Sequence, residues 1–320
     1  MASPKKLMGK AAQSLAIVSA GFCRGAPKAG TDAGPSAILD SGLFAQLQRH
    51  FTRVQLDNDK LDGADLPQTR DPDFAGMKNP RAVSAATKYT SERAYNHSRN
   101  GSLVLTLGGD HSNAIGSLTG ASKGLRERTG SDFAVICVDA HVSINTPETS
   151  PSGNINGMPL AFATGIAKTK GDGIFNWIQK EHQVDVKRLV YVGTRDVDDA
   201  EKETIKAHGI KVFDMERIRR NGIENVMDEV LDYVGSSVPI HLSCDIDALD
   251  PEWGPSAGHL VPDGLALEEG QYIARRVSAT NRLAAMDLVE VNPSINLPGV
   301  QRTVDSACAL IKSAFGISDQ

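Results

Sequence analysis

Asp139 and His141 stand two residues apart in the stretch "DAHVSIN". On an extended chain, residues two apart share a face. A carboxylate and an imidazole so placed offer the oxygen and nitrogen donors that a divalent metal takes. The same alternation next reaches Ser143, a neutral hydroxyl and a poor ligand for such an ion. A second pair, Asp245 and Asp247, has the same spacing in "SCDIDALDP", His111 follows a Gly-Gly-Asp turn in "LTLGGDHS", and Glu290 ends "LAAMDLVE". Two imidazoles and three aspartates make a mixed set that suits manganese, iron, cobalt or zinc better than magnesium or calcium. Taken singly, each residue has an ordinary reading. A lone His is usually a satisfied core or surface residue, and Asp110 is expected to hold the Gly-rich turn.

The elements that must position these residues are legible as eight short apolar runs. They are "LAIVSA" (15–20), "VQLD" (54–57), "LVLTL" (103–107), "FAVICV" (133–138), "RLVYVG" (188–193), "IKVFDM" (210–215), "IHLSC" (240–244) and "LAAMDLVE" (283–290). Several lack alternation, as do parallel strands buried on both faces. Helical patterns lie between them. In "IENVMDEVLDYV", Ile223, Val226, Met227, Val230, Leu231 and Val234 form one stripe. "LALEEGQYIARRVSAT" and the closing "TVDSACALIKSAF" read as further helices. Strands alternating with helices predict one α/β domain over 1–320, a parallel sheet with helices on both faces. The polar stretch 57–82 reads as a surface loop insertion. In such sheets ligands bind at the carboxyl ends of the strands, where His111, Asp139, Asp245, Asp247 and Glu290 fall.

The bulk composition narrows the function classes. A net charge of −5 with mixed signs gives no nucleic-acid footprint. No apolar run approaches the roughly 20 residues of a membrane span, and "MASPKKLMGKAAQ" lacks the apolar stretch of a secretory signal. An intracellular place, cytoplasmic or organellar, is expected. Cys23, Cys137, Cys244 and Cys308 are far apart and read as reduced core thiols, not as a disulfide framework or a zinc cluster. Cys23, in a Gly-rich loop, is the most open to reaction.

The ordered motifs "GFCRGAPKAGTDAGP", "LTLGGDHSNAIG", "DAHVSINTPETSPSGNINGMPLA", "YVGTRDVDDAEKE", "SCDIDALDPEWGPSAG" and "MDLVEVNPS" resemble the arginases of the ureohydrolase family over nearly the whole chain. "SGNINGMP" is similar to the arginase branch more than to the agmatinases. The resemblance implies an eight-stranded parallel sheet, a two-manganese centre that activates water against a guanidinium group, and a homotrimer. It assigns metal ligation to His111, Asp139, His141, Asp245 and Asp247. It places the substrate α-carboxylate on Asn145, Ser150, Ser152 and Asn154, the α-amino group on Asp198 with Glu201 nearby, and the guanidinium on Glu290.

Three positions depart from the family pattern. Ser143 stands where the family has a fifth-position Asp ligand, Asn156 where it has a proton-transferring His, and His259 where it has a Thr beside the substrate. Loss of a carboxylate weakens the metal site that His111 serves, and Asn156 carries no proton. The expectation is therefore an arginase-like protein with an impaired centre and weak or no arginine hydrolysis. It would hold at most one manganese ion, or none, and would serve to bind a small guanidino or amino-acid ligand or to regulate. The alternative is an active ureohydrolase that releases urea from arginine or a related guanidino compound through a metal-activated hydroxide.

Overall fold

The computed structural model describes residues 14–58, 61, 66–67, 71–168 and 173–317. The segment 1–13, read above for a secretory signal, lies outside them. Eight strands form one sheet: β1 (Ser14–Ala20), β2 (Arg53–Asp57), β3 (Leu103–Gly108), β4 (Ala134–Val138), β5 (Leu189–Val192), β6 (Lys211–Phe213), β7 (Ile240–Asp245) and β8 (Leu283–Val289). Their order is β2-β1-β3-β8-β7-β4-β5-β6, and every pairing is parallel. All eight runs read from the sequence are strands.

Ten α-helices are described: α1 (Gly34–Ile38), α2 (Phe44–His50), α3 (Pro80–Arg99), α4 (Asn113–Thr129), α5 (Pro159–Thr164), α6 (Asp199–His208), α7 (Met215–Asn221), α8 (Ile223–Val234), α9 (Leu267–Ala279) and α10 (Val300–Phe315). Alternate side chains of the central strands feed two cores. Leu103, Leu105, Leu107, Ala134, Ile136 and Val138 join residues of α1, α2 and α7 to α10. Val104, Val135, Cys137 and Tyr191 join residues of α3, α4 and α5. Both faces of the sheet are thus covered, which explains why the strands read as unbroken apolar runs. Among the described residues no helix is long and apolar enough to cross a membrane.

Helix α10 begins at Val300, three residues before the expected Thr303. The loop read as 57–82 runs from the end of β2 to Pro80, so its last residues belong to α3, and part of it lies outside the described residues. Its described end is anchored, since buried Asp71 accepts the Ala82 N–H at 2.8 Å.

α3 packs on α4 through small side chains. A Cβ added at Gly120 would stand 2.1 Å from the Ser91 carbonyl oxygen, so only glycine allows this approach. Gly116 and Gly124, one turn to each side, are similarly close to the Thr87 and Tyr95 carbonyls. This packing matters for the chemistry because the loop that opens α4 carries His111.

Candidate functional site

The parallel sheet brings one end of β3, β4, β7 and β8 together, and the polar residues gather there. Asp139 follows β4, Asp245 ends β7, Asp247 lies in the turn after it, and Glu290 follows β8. All four carboxylates are buried. Asp139 uses its two oxygens in different directions. Oδ2 lies 3.3 Å from His111 Nδ1, while Oδ1 lies 3.5 Å from His141 Nδ1 and accepts the His141 N–H at 2.8 Å. His111 Nδ1 is also 3.4 Å from Asp245 Oδ2, and His141 Nδ1 is 3.2 Å from Asp247 Oδ2. The Asp247 N–H donates to Asp245 Oδ1 at 3.0 Å, which fixes the turn between the pair.

Ligand atoms of Asp139, His141 and Asp247 fall within 4.8 Å of one another, and so do those of His111, Cys137 and Asp139. Asp139 belongs to both groups. The charges agree with a cation site. Burial, with Asp247, Asp139 and Glu290 beside it, pushes the Asp245 carboxyl well above its usual range. Burial opposes a charged His141, yet Asp247 and Asp139 outweigh it and raise its pKa to about 11. Burial likewise opposes a charged Asp247, but His141 brings its pKa below the ordinary value. His111 Nε2 is buried without a hydrogen-bond partner among the described residues. Crowded carboxylates, two imidazoles and an orphaned ring nitrogen fit a divalent metal of mixed N/O preference.

Ser143 occupies the rim of the His111 side. Its Oγ is 3.3 Å from His111 Nδ1 and 3.5 Å from Asp139 Oδ2. Its backbone is left-handed, φ 53°, as is that of Glu290, φ 67°. Two non-glycine residues held in this region within one site represent stored strain. The Glu290 N–H donates to the Gly109 carbonyl at 2.8 Å, and Glu290 Oε1 accepts the His111 N–H at 2.8 Å. A Cβ at position 258 would lie 2.3 Å from Glu290 Oε2, so Gly258 is the room that this carboxylate needs. Burial, with Asp110 near, raises the Glu290 pKa to about 8, and the Asn156 side chain works in the opposite direction.

The remaining expected residues lie on loops and at the start of α6. Asn145 Nδ2 donates to Asp198 Oδ2 at 2.8 Å, and Glu201 Oε1 accepts the Ile144 N–H at 3.0 Å, so these three meet beside the centre. Asp198 and Glu201 also form the capping box of α6. Ser150 and Ser152 hold their own loop, accepting the Gly153 and Asn154 N–H groups. His259 lies on an exposed loop with its ring edge-on to His141, centroids 5.9 Å apart. Asp110 has its ordinary role: it accepts from the Gly25, Ala26 and Ser112 N–H groups and from the Ser112 hydroxyl.

Arg195 was not anticipated. Its guanidinium donates to the carbonyls of Asp247 at 2.8 Å and Val261 at 2.7 Å, and also to Ala248 and Leu249, which pins the loop bearing Asp247. A basic residue just after a strand end, in "VGTRD", was the available signal. Cys137 is, as read, a free and buried core thiol. It precedes Asp139 by two residues, so the alternation that picked out Asp139 and His141 reaches it in the other direction.

A family profile described as "Arginase family" matches residues 13–316. The chain belongs to the arginase family. It is 48% identical over 313 residues to an arginase of Coccidioides immitis, covering 98% of this chain and 96% of that one. The solved arginase of Bacillus caldovelox superposes with a TM-score of 0.85 at 30% identity, over 96% of this chain and all of that one. The arginase of Entamoeba histolytica, solved in complex with L-ornithine, gives 0.83 at 29% identity, over 95% and 99%. The arginase-family reading of the motifs and the eight-stranded fold both stand.

Proposed function

We propose that this arginase-family chain is a ureohydrolase acting on arginine or a related guanidino compound. The observation that carries the reading is the pair of ligand groups sharing Asp139 at the carboxyl ends of β4 and β7, with Glu290 alongside. Full-length likeness to arginases favours turnover over a centre that has lost it. Asp139, His141, Asp245 and Asp247 would hold a manganese ion, with His111 on the adjoining side. A metal there supplies the Lewis acidity that brings the pKa of water near neutrality.

The chain's own residues do the rest. Glu290, costly as a lone buried carboxylate, receives the guanidinium, which returns the charge it lacks. Asn145, Ser150, Ser152 and Asn154 take the α-carboxylate, and Asp198 with Glu201 the α-amino group. The amino-acid ligand of the amoebic relative supports that class. Water adds at the guanidinium carbon, the bond to the substrate amine breaks, and urea leaves. Asn156 orients Glu290 through its amide but carries no proton, so the leaving amine draws its proton from water or from His259 at the rim. The protein is taken to be intracellular and homotrimeric. A monomer by light scattering at micromolar concentration would reject the assembly.

Ser143 and Asn156 favour a second reading, a centre with one manganese ion that binds ligand and turns over slowly or not at all. One experiment separates the two. Purified protein is incubated with manganese, its metal content is measured, and urea release from arginine and agmatine is followed. Rapid release from arginine supports the first reading. Bound metal without release supports the second, and neither metal nor urea overturns both.

A further inference from the structure

We propose that Cys137 is a metal ligand in the His111 half of the centre, and that this half selects a thiophilic ion such as zinc over manganese. The inference rests on the metal-centre part of the proposed function and not on urea release.

Three observations carry it. Ligand atoms of His111, Cys137 and Asp139 lie within 4.8 Å of one another, and all three residues are buried. Ligands around a tetrahedral zinc, bonded at about 2.0–2.3 Å, stand about 3.5 Å apart. The His111–Asp139 pair is already at 3.3 Å, and the Cys137 sulfur lies within 4.8 Å of both. His111 has a buried ring nitrogen with no partner among the described residues, while its other nitrogen faces Asp139 and Asp245. Finally, beside the Asp139 and Asp245 carboxylates, the other oxygen near His111 Nδ1 is the neutral Ser143 hydroxyl at 3.3 Å. Cys137 would add a further donor atom to the half in which Ser143 offers only a neutral hydroxyl.

Thiolate ligands select zinc and similar ions, whereas manganese favours carboxylate and water oxygen. The exchange balances: the thiol S–H bond breaks, sulfur donates its electron pair to the metal, and the proton leaves to solvent. Cys244, on the neighbouring strand, is equally buried. It lies in the opposite core and in neither ligand group, so it is the natural control.

The test uses the full chain loaded with zinc or cobalt. X-ray absorption of the zinc protein should find one sulfur at about 2.3 Å beside nitrogen and oxygen scatterers. The cobalt protein should show a thiolate charge-transfer band that survives Cys244→Ser and disappears in Cys137→Ser. Zinc affinity should fall at least about tenfold in Cys137→Ser, since losing even a supporting contact commonly costs that much. Zinc bound through nitrogen and oxygen alone would overturn the thiolate assignment and leave the manganese reading intact. A chain that takes up neither zinc nor manganese would remove both. The absorption measurement on unaltered protein decides the question even if Cys137→Ser fails to fold.

Discussion

Ser143 is where one atom set has the largest leverage. Ser143→Asp places an anionic oxygen within reach of His111 Nδ1, and aspartate tolerates the left-handed backbone found there better than most residues. Manganese affinity, measured by calorimetry, should rise at least about tenfold. Arginine hydrolysis should still wait on Asn156→His, because a general acid or base contributes about 10²–10⁴ in rate. If Ser143→Asp alone gave that increase in urea release, the proton-transfer role assigned to position 156 would be wrong. At this scale the sequence was readable wherever period-two spacing applied: Asp139 with His141, and Asp245 with Asp247, emerge together as spaced. Cys137 obeys the same spacing, but its apolar neighbours Ile136 and Val138 made a core thiol the natural reading. Arg195 was hidden for a different reason: its partners are carbonyls of two other segments, 247–249 and 261–262, and no side-chain pattern announces a carbonyl.

Among the elements, the α3–α4 pair is the most sharply constrained. Gly120→Ala would stabilise an isolated helix by about 1 kcal/mol. In this chain the new methyl meets the Ser91 carbonyl, so the helices must separate. Overpacking of this kind costs about 1–3 kcal/mol, and denaturant unfolding should show a net loss. A gain in stability would mean that α3 yields freely. The same pair explains what was illegible. The eight strands were visible because both their faces are buried and apolar. α3 buries Ala82, Ser84, Ala86, Thr87, Thr90, Ser91, Ala94 and Ser98, a face of small and hydroxylated residues with little apolar contrast. α8, with five large apolar residues buried on one side, was read to its ends. Short α1 and α5 offer too few turns for any period to register.

For the whole molecule, the metal-free charge balance makes stability depend on pH. Glu290 is raised to about 8 and Glu201 to about 7, each first by burial, and Asp245 is raised well above its usual range. A group with a raised folded-state pKa binds more protons folded than unfolded, so lowering pH through that pKa favours the fold. His141, at about 11, keeps its proton in the fold throughout, while the unfolded imidazole gains one only as pH falls, so it adds to the same trend. His259 and His182 are shifted downward, chiefly by burial, and oppose the trend only once pH falls below their ordinary range. The melting temperature of chelated protein should therefore rise as pH falls from about 8 to about 6, the unfolding free energy growing by up to about 1.4 kcal/mol per pH unit for each titrating group. Manganese should flatten the curve by replacing those protons. Chelated protein that melts lower at pH 6 than at pH 8 would refute the crowded-carboxylate account.

Asp139 faces His111 with one oxygen and His141 with the other, so neither half can change its hold on that carboxylate alone. A first ion bound there would fix the carboxylate plane and leave its second oxygen already oriented, while adding charge that would repel a second. Whatever the balance, thermodynamic linkage makes it reciprocal: manganese alters zinc affinity by the same factor by which zinc alters manganese affinity. Titrating the two metals in either order should return one cooperativity constant, and Asp139→Asn should move that constant toward unity.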